Sequence, residues 1–142
     1  DDGGYSRSHS IGEPLLRYGI FADWLELRVA IFPVQERTTT GGTRSTTTGT
    51  EDVYLGFKIA LTGQDCALPE MAIIPQMTVP IGSNAFTDES ALAGVNWLYA
   101  WELSEDWSLG GSTQFNRARD DANEYYIEFA QSATIVRGIT ES

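Results

Sequence analysis

The chain is poor in the residues that catalysis and disulfide-stabilised folds need. It has one cysteine, Cys66, in 142 residues, so no disulfide can form within it. Its one histidine, His9, lies far from that cysteine, in a start rich in Ser, Arg and Gly. Without a base nearby, a thiol or serine nucleophile would not be activated. We therefore expect Cys66 to be a small residue at a turn, and we predict that the chain is not an enzyme and needs no cofactor.

Long hydrophobic runs and lysines are also missing. No run approaches the roughly 18 apolar residues of a transmembrane helix, although 42% of the residues are hydrophobic. Lys58 is the only lysine, beside eight arginines, whereas a soluble domain of this size usually covers its surface with several lysines. This scarcity suggests that much of the surface does not face water. The net charge of −11 argues against nucleic acid as a partner, because phosphate needs a basic surface.

The chain instead repeats long segments in which apolar and polar side chains alternate. In Trp24–Ile31, Leu25 and Leu27 would point to one face of a strand, and Glu26 and Arg28 to the other. A soluble strand needs only about five or six residues, but a strand that crosses a bilayer needs about 9–11. The pattern therefore predicts an all-β antiparallel meander of about seven long strands, forming all or part of a transmembrane β-barrel. This barrel would lie in the bacterial outer membrane, with lipid as a partner.

The predicted strands follow one another along the whole chain, with no helical periodicity between them. They cover Ser10–Tyr18, Trp24–Val34, Val53–Leu61, Met71–Gly82, Gly94–Leu103, Trp107–Ala118 and Tyr125–Arg137. Pro14, Pro75 and Pro80 weaken two of these predictions, because proline is tolerated mainly at sheet edges and irregularities. We interpret residues 1–142 as one β-barrel domain or a part of one.

The connections alternate in length, as in outer-membrane barrels with short periplasmic turns and longer outer loops. Residues 35–52 contain a Thr- and Gly-rich tract with little apolar content, so we expect a mobile outer loop there. Residues 1–9 are expected to be disordered. Trp24 and Trp107 each follow a turn and open a strand at the short-turn boundary. We predict both as interface aromatics, because the amphipathic Trp ring is favoured at membrane boundaries.

The polar positions of the strands are mostly small or neutral, whereas a solvated sheet face usually carries many long charged side chains. The interior of a barrel favours small polar residues, with charges paired across the lumen. The predicted lumen-lining residues are Glu26, Arg28, Lys58, Gln76, Asn96, Glu102, Gln114, Asn116 and Glu128. In this interpretation the carboxylates pair with cations and do not form a hydrolytic pair.

Two acidic segments were candidates for metal binding. Asp120–Glu124 offers clustered oxygen ligands of the kind that calcium prefers. It lacks the spacing and the glycine of a calcium-binding loop. The second segment, Asp88 and Glu89, is no stronger a candidate for a metal site. We expect ordinary acidic turns and no metal site.

Several segments, in order along the chain, resemble a known family. They are Leu15–Gly19, Trp24–Arg28, Leu55–Lys58, Pro75–Gly82, Asn96–Tyr99 and Leu109–Phe115. Over about Leu15 to Thr134 the chain resembles the MetA-pathway of phenol degradation family of outer-membrane proteins, and most closely its planctomycete-type transporters. The most specific part is a Pro-Gln-x-Thr-Val-Pro-x-Gly strand with Leu-Gly-Phe-Lys before it. The resemblance implies a longer antiparallel barrel that tolerates these prolines and passes small hydrophobic or aromatic compounds.

Three functional hypotheses follow. The first is a porin-like channel or transporter for small molecules, including hydrophobic or aromatic ones. The second is a structural or adhesive barrel without transport. The third is a soluble β-sandwich or lipocalin-like module that binds a small ligand, with the aromatic stripe of Trp97, Tyr99 and Trp101 in its interior. We expect the chain to be a piece of a longer barrel, and its sequence determines neither the solute nor the oligomeric state.

Overall fold

Every regular element in the described part of the molecule is a β-strand. The computed structural model describes residues 5–10, 14–20, 22–40, 43–87, 90–120 and 122–138, and none of these residues forms a helix that could cross a membrane. The ten strands are β1 (Tyr5–Ser10), β2 (Leu15–Gly19), β3 (Leu25–Ala30), β4 (Pro33–Thr40), β5 (Thr43–Thr50), β6 (Val53–Thr62), β7 (Glu70–Val79), β8 (Leu92–Glu102), β9 (Trp107–Arg119) and β10 (Tyr125–Arg137).

Seven of the strands form one antiparallel sheet, which we call the main sheet. Its order is β10-β9-β8-β7-β6-β3-β2, so sequential members are neighbours. A smaller sheet has the order β1-β4-β5 and is also antiparallel. The prediction of an all-β antiparallel fold is therefore confirmed. The strand number is ten among the described residues, not about seven, and the seven predicted strands correspond to the main sheet.

One predicted strand, Trp24–Val34, is two strands in the structure. β3 ends at Ala30 and β4 begins at Pro33. Ala30 is only 2% exposed and pairs with Tyr54 of β6, whereas Pro33 pairs with Thr50 of β5 in the smaller sheet. Because proline has no N–H to donate to a ladder, the chain leaves the main sheet at this point.

The Thr- and Gly-rich tract, predicted as a mobile outer loop over residues 35–52, contains a β-hairpin made of β4 and β5. β4 pairs with β5 along its whole length, and β1 pairs with the other side of β4. Backbone pairing requires no apolar side chain, and β-branched threonine favours extended backbone. Residues 5–9, expected to be disordered, belong to β1, while residues 1–4 lie outside the described ranges. The mobility of the hairpin stays a prediction.

The base of this hairpin is tied to the loop that follows β7. The Thr50 N–H donates to Ser83 Oγ at 2.9 Å, and the Ser83 N–H donates to the Thr50 carbonyl at 2.8 Å. Asp52, which is 6% exposed, accepts a hydrogen bond from the Gly82 N–H at 3.1 Å. These bonds join the hairpin to one edge of the main sheet, the edge where its longer connections lie.

The predicted weak point at Pro75 is visible as a gap in one ladder. The pairing of β6 with β7 passes from Gly56–Gln76 to Ile59–Ile73 and omits two positions, the one opposite the proline and the next. On the other side, β7 pairs with β8 without a gap. The missing N–H of the proline accounts for the gap, and the strand continues because its second ladder is intact.

The register divides the main sheet into two faces, which we call polar and apolar. The buried residues of its strands all lie on the polar face; they are Ala30, Gly56, Ala72 and Ile74. Large exposed side chains of the apolar face are Leu16, Tyr18, Phe57, Met77, Trp97, Trp107, Phe115, Tyr125, Ile127, Phe129 and Ile135. The backbone of each described strand lies close only to its ladder neighbours, so no second sheet of the described residues covers the apolar face. This distribution of burial is the reverse of that in a soluble sheet.

The main sheet is open in the described part of the chain. β2 and β10 are its outer strands, and each pairs on one side only. All thirteen residues of β10 are exposed. The described residues thus form an open antiparallel sheet, and a closed barrel is part of the functional proposal.

Candidate functional site on the polar face

The nine residues predicted to line a lumen share the polar face. The register pairs Glu26 with Lys58 and Asn96 with Gln114 across neighbouring strands. A single row crosses six strands in the order Arg28, Gly56, Gln76, Gly94, Asn116 and Glu128. Glu102 faces the same way near the end of β8, opposite Ser108. That this face lines a lumen stays a prediction.

Part of this row is a chain of hydrogen bonds, which we call the amide row. The Tyr54 hydroxyl donates to Gln76 Oε1 at 3.1 Å, and Gln76 Nε2 donates to Asn116 Oδ1 at 3.0 Å. Tyr54 lies on β6, Gln76 on β7 and Asn116 on β9, so the second bond passes over β8. The amides are therefore held in fixed orientations across the centre of the sheet.

Two glycines make room for the amide row. A Cβ at Gly56 would lie 2.7 Å from Tyr54 Oη, and a Cβ at Gly94 would collide with Asn116 Oδ1. The polar side chains can lie flat against the sheet because these positions carry no side chain. Neither role was predicted from the sequence. The sequence shows long polar residues alternating with glycines, but only the strand register shows that the glycines lie beside polar residues of the neighbouring strands.

A cluster of charges lies at the β2–β3 side of the polar face. Glu26 accepts two hydrogen bonds from Arg17, from Nε and Nη2, both at 3.0 Å, and a third from Arg28 Nε at 2.7 Å. Pairing was expected for Glu26 and Arg28, but Arg17 was missed because it lies on a neighbouring strand. Arg17 pairs in register with Arg28, so the Glu26 carboxylate lies between two positive charges and reduces their repulsion.

The other predicted lumen charges are not paired with each other. Among the described residues, Lys58, Glu102 and Glu128 have no ion partner within 4.0 Å. The cations therefore concentrate on β2, β3 and β6, and the unpaired carboxylates on β8 and β10. A groove of about 200 Å³ separates part of these two sides and is lined by Tyr54, Gln76, Thr78, Leu92, Asn116 and Glu128. Arg117 also lines this groove, so neutral and apolar surface meets one carboxylate and one arginine there.

A loop folds against the short-turn edge of the polar face. Gln64 pairs with the backbone of Glu102, donating to its carbonyl at 2.8 Å and accepting from its N–H at 2.6 Å. The Trp101 indole N–H donates to the Ala67 carbonyl at 3.0 Å. The connection between β6 and β7 is longer than its neighbours at this edge because it docks on the end of β8. A groove of about 440 Å³ lies beside it.

The predicted interface aromatics lie at one edge of the main sheet, the short-turn edge. Trp24 precedes β3 and is 55% exposed, and Trp107 begins β9 and is 43% exposed. On the apolar face, the rings of Trp97, Tyr99 and Trp101 form successive edge contacts with centroids 5.4 and 6.0 Å apart. Ring contacts therefore run along β8 to this same edge.

The acidic and cysteine candidates have ordinary structural roles. Asp120 Oδ1 accepts hydrogen bonds from the N–H groups of Ala122 and Glu124 at 2.9 and 2.8 Å, which closes the β9–β10 turn. Cys66 is exposed in a turn, with a φ of 49°. Asp88 and Glu89 lie outside the described residues. Within the described ranges, no three potential ligands are grouped so as to hold a metal ion.

Comparisons with known proteins agree with this arrangement of residues. A family model described as "Putative MetA-pathway of phenol degradation" matches residues 4–141. The chain belongs to this family. The resemblance noted in the sequence is thereby confirmed, while no curated protein and no solved structure matches the chain significantly.

The segments that carry the family resemblance overlap the amide row. The Leu-Gly-Phe-Lys segment contains Gly56, and the proline-bounded strand contains Gln76 and Thr78. These are the residues that give the polar face its central hydrogen bonds and part of its groove. These two segments therefore lie at the middle of the candidate site.

Proposed function

We propose that this chain forms the wall of an outer-membrane β-barrel through which small molecules pass, hydrophobic or aromatic ones among them. The observation that carries the proposal is the reversed burial of the main sheet. Large apolar side chains are exposed on one face, while the polar face is the more buried one and its side chains bond to each other. Lipid chains are a medium in which the first face is stable without a covering layer.

The dimensions of the apolar face support a place in a bilayer. Trp107 and Arg117 lie ten residues apart on β9, with apolar or small uncharged side chains at the positions between them on that face. At about 3.3 Å per residue this is roughly 33 Å along the strand. A tilt of about 40° would reduce it to about 25 Å, the height of the apolar band of an outer-membrane barrel.

The polar face supplies the wall along which a solute would move. Its centre is neutral, with amides, hydroxyls and glycines, and its charges lie on either side. A neutral solute could exchange hydrogen bonds with such a wall without bringing a charge past it. The family description mentions phenol degradation, so we propose single-ring aromatic compounds as the first solutes to test.

The soluble alternatives need a cover for the apolar face. In a β-sandwich or a lipocalin, a second layer or a ligand would bury the side chains that include Trp97, Phe115 and Phe129. No second sheet of the described residues packs on this face, which favours the membrane over these alternatives. A structural barrel without transport remains the second candidate, because the same apolar face would serve it equally well.

Reconstitution of the full-length protein that contains this sequence tests both parts of the proposal. We expect the refolded protein to float with phosphatidylcholine vesicles in a density gradient and to migrate differently on a denaturing gel before and after heating. We expect the vesicles to swell in phenyl glucoside, a single-ring solute that crosses lipid slowly, faster than vesicles with heat-unfolded protein. A detergent-free soluble monomer would overturn membrane placement. Flotation without swelling would overturn transport and favour the structural barrel.

A further inference from the structure

The carboxylates of the main sheet all lie on one of its two faces, whereas its cations lie on both. All its strand carboxylates lie on the polar face; they are Glu26, Glu70, Glu102 and Glu128. The charged residues on the apolar face are all arginines; they are Arg117, Arg119 and Arg137. In a chain of net charge −11, this face carries positive charge alone.

These arginines lie at the two ends of the apolar face. Arg117 and Arg119 are near the long-loop edge, and Arg137 is near the short-turn edge. The stretch between them on β9 and β10 carries Leu109, Phe115, Ile127, Phe129 and Ile135. A charge at the centre of a bilayer is costly, but one at its boundary is not. When the apolar band of the sheet spans the hydrocarbon core of a bilayer, the arginines lie at the levels of the two headgroup layers.

An aromatic ring holds one arginine at each end. The Arg117 guanidinium lies 3.8 Å from the centroid of the Tyr125 ring, and that of Arg137 lies 5.5 Å from the centroid of the Trp107 ring. Stacking on a ring orients a guanidinium but leaves its N–H groups free to donate in the plane. Neither arginine has a carboxylate within 4.0 Å among the described residues. Both therefore present oriented donors that no carboxylate of the described ranges receives.

We propose that Arg117 and Arg137 each bind the phosphate of a membrane lipid, one in each leaflet, and so fix the height of the sheet in the bilayer. Guanidinium matches phosphate through paired, charge-assisted hydrogen bonds. The adjoining apolar surface offers contact to the acyl chains of the same lipid, which a free phosphate would not use. The inference rests on the proposed membrane placement and adds a lipid class to it.

Lipid selectivity measured on the full chain tests this proposal. The protein is reconstituted in phosphatidylcholine vesicles with spin-labelled phosphatidic acid or spin-labelled phosphatidylcholine, and the motionally restricted fraction of each probe is measured. We expect the protein to prefer phosphatidic acid, and each of Arg117→Gln and Arg137→Gln to reduce the preference at its site about five-fold. Arg17→Gln is the matched control on the polar face and should leave the preference unchanged.

A stability measurement separates lipid binding from a purely internal role of the stacked pairs. Phosphatidic acid should raise the Tm of the unmodified protein and of Arg17→Gln more than that of Arg117→Gln or Arg137→Gln. An equal loss of Tm with and without phosphatidic acid would overturn the proposal, as would equal lipid preference in all four proteins. In those cases flotation would still support the membrane placement. Failure of the unmodified protein to float would overturn both.

Discussion

The two faces of the main sheet differ in what holds their side chains in place. On the polar face, side chains bond to one another through the amide row, the Glu26 cluster and a hydroxyl pair between Ser112 and Ser132 at 2.8 Å. On the apolar face, contacts are mainly between rings, such as Phe115 and Phe129 with centroids 5.2 Å apart. Many polar side chains are thus bonded within the chain, although Thr78 Oγ1 and Asn96 Oδ1 are buried without a partner among the described residues, and the apolar side chains remain open to another medium.

This contrast shows that the more buried face of a sheet need not be its apolar face. A soluble sheet covers its apolar side, because exposed apolar area costs about 25 cal/mol per Å² in water. In lipid this cost disappears, and the unmet need is instead hydrogen bonding of polar groups. The main sheet leaves its apolar face uncovered, and it meets the need for hydrogen bonds at the amide row and the Glu26 cluster. Each prediction below changes one position and uses a chemically matched position, on the same face or the opposite one, as its control.

The largest expected effect comes from placing a charge at the centre of the apolar face. Ala133 and Ser132 are neighbours near the middle of β10; Ala133 lies on the apolar face and Ser132 on the polar face. In vesicles, Ala133→Arg should reduce the free energy of unfolding by about 2–4 kcal/mol, as for Arg at the midplane of a barrel. Ser132→Arg should cost less than about 1 kcal/mol. Urea unfolding followed by Trp fluorescence measures both.

This pair avoids the ambiguity of a substitution in a packed core. Both residues are exposed in the described structure, so neither arginine would meet a steric clash in a soluble protein. Equal costs for Ala133→Arg and Ser132→Arg would therefore contradict the assignment of lipid to the apolar face.

A smaller effect is expected from filling the space that the amide row occupies. Gly94→Ala places a methyl group against Asn116 Oδ1 and should displace the amide from Gln76. We expect a loss of about 1–3 kcal/mol, in the range of overpacking in a core. Gly19→Ala, on the same face with no atom within 4 Å of the new Cβ, is the matched control and should be close to neutral. The denaturant midpoints of the two variants measure this difference. Similar midpoints would show that the amide row contributes little to the free energy of unfolding.

The smallest effect is expected from removing one hydroxyl of the amide row. Tyr54→Phe deletes the donor to Gln76 Oε1 and should cost about 0.5–1.5 kcal/mol. Tyr126→Phe makes the same chemical change on the polar face of β10, where the side chain is 49% exposed. Its unfolding free energy should stay within about 0.5 kcal/mol of that of the unmodified protein. Should Tyr126→Phe cost as much as Tyr54→Phe, the hydrogen bond at Gln76 would not be the cause.

The sequence was most informative where alternation was longest. The strands β8, β9 and β10 were predicted within two residues at each end, because eleven to thirteen alternating residues leave little freedom in the choice of face. It was least informative over residues 35–52, where threonine favours extended backbone but supplies no apolar pattern. Pairing with β1 and bonds to Ser83 stabilise that hairpin, and both partners are distant in sequence.

Face membership of the candidate site followed from the sequence, but its contacts did not. Alternation placed Gln76 and Asn116 on one side of their strands, and the register agrees. Their hydrogen bond depends on Gly94 lying between them on β8, which is a property of three strands at once. Arg17 was missed for the same reason, since its partner Glu26 lies on the neighbouring strand.

The sequence by itself determined the class of fold, the two chemically different faces and the family, because each depends on the order of residues along single strands. Only the tertiary structure decided the register, and with it the amide row, the charge cluster and the arginine–aromatic pairs at the ends of the apolar face. A shift of one residue in pairing would turn a strand over without changing its sequence pattern. Contacts between strands therefore depend on the ladder that joins them, and no single strand contains that information.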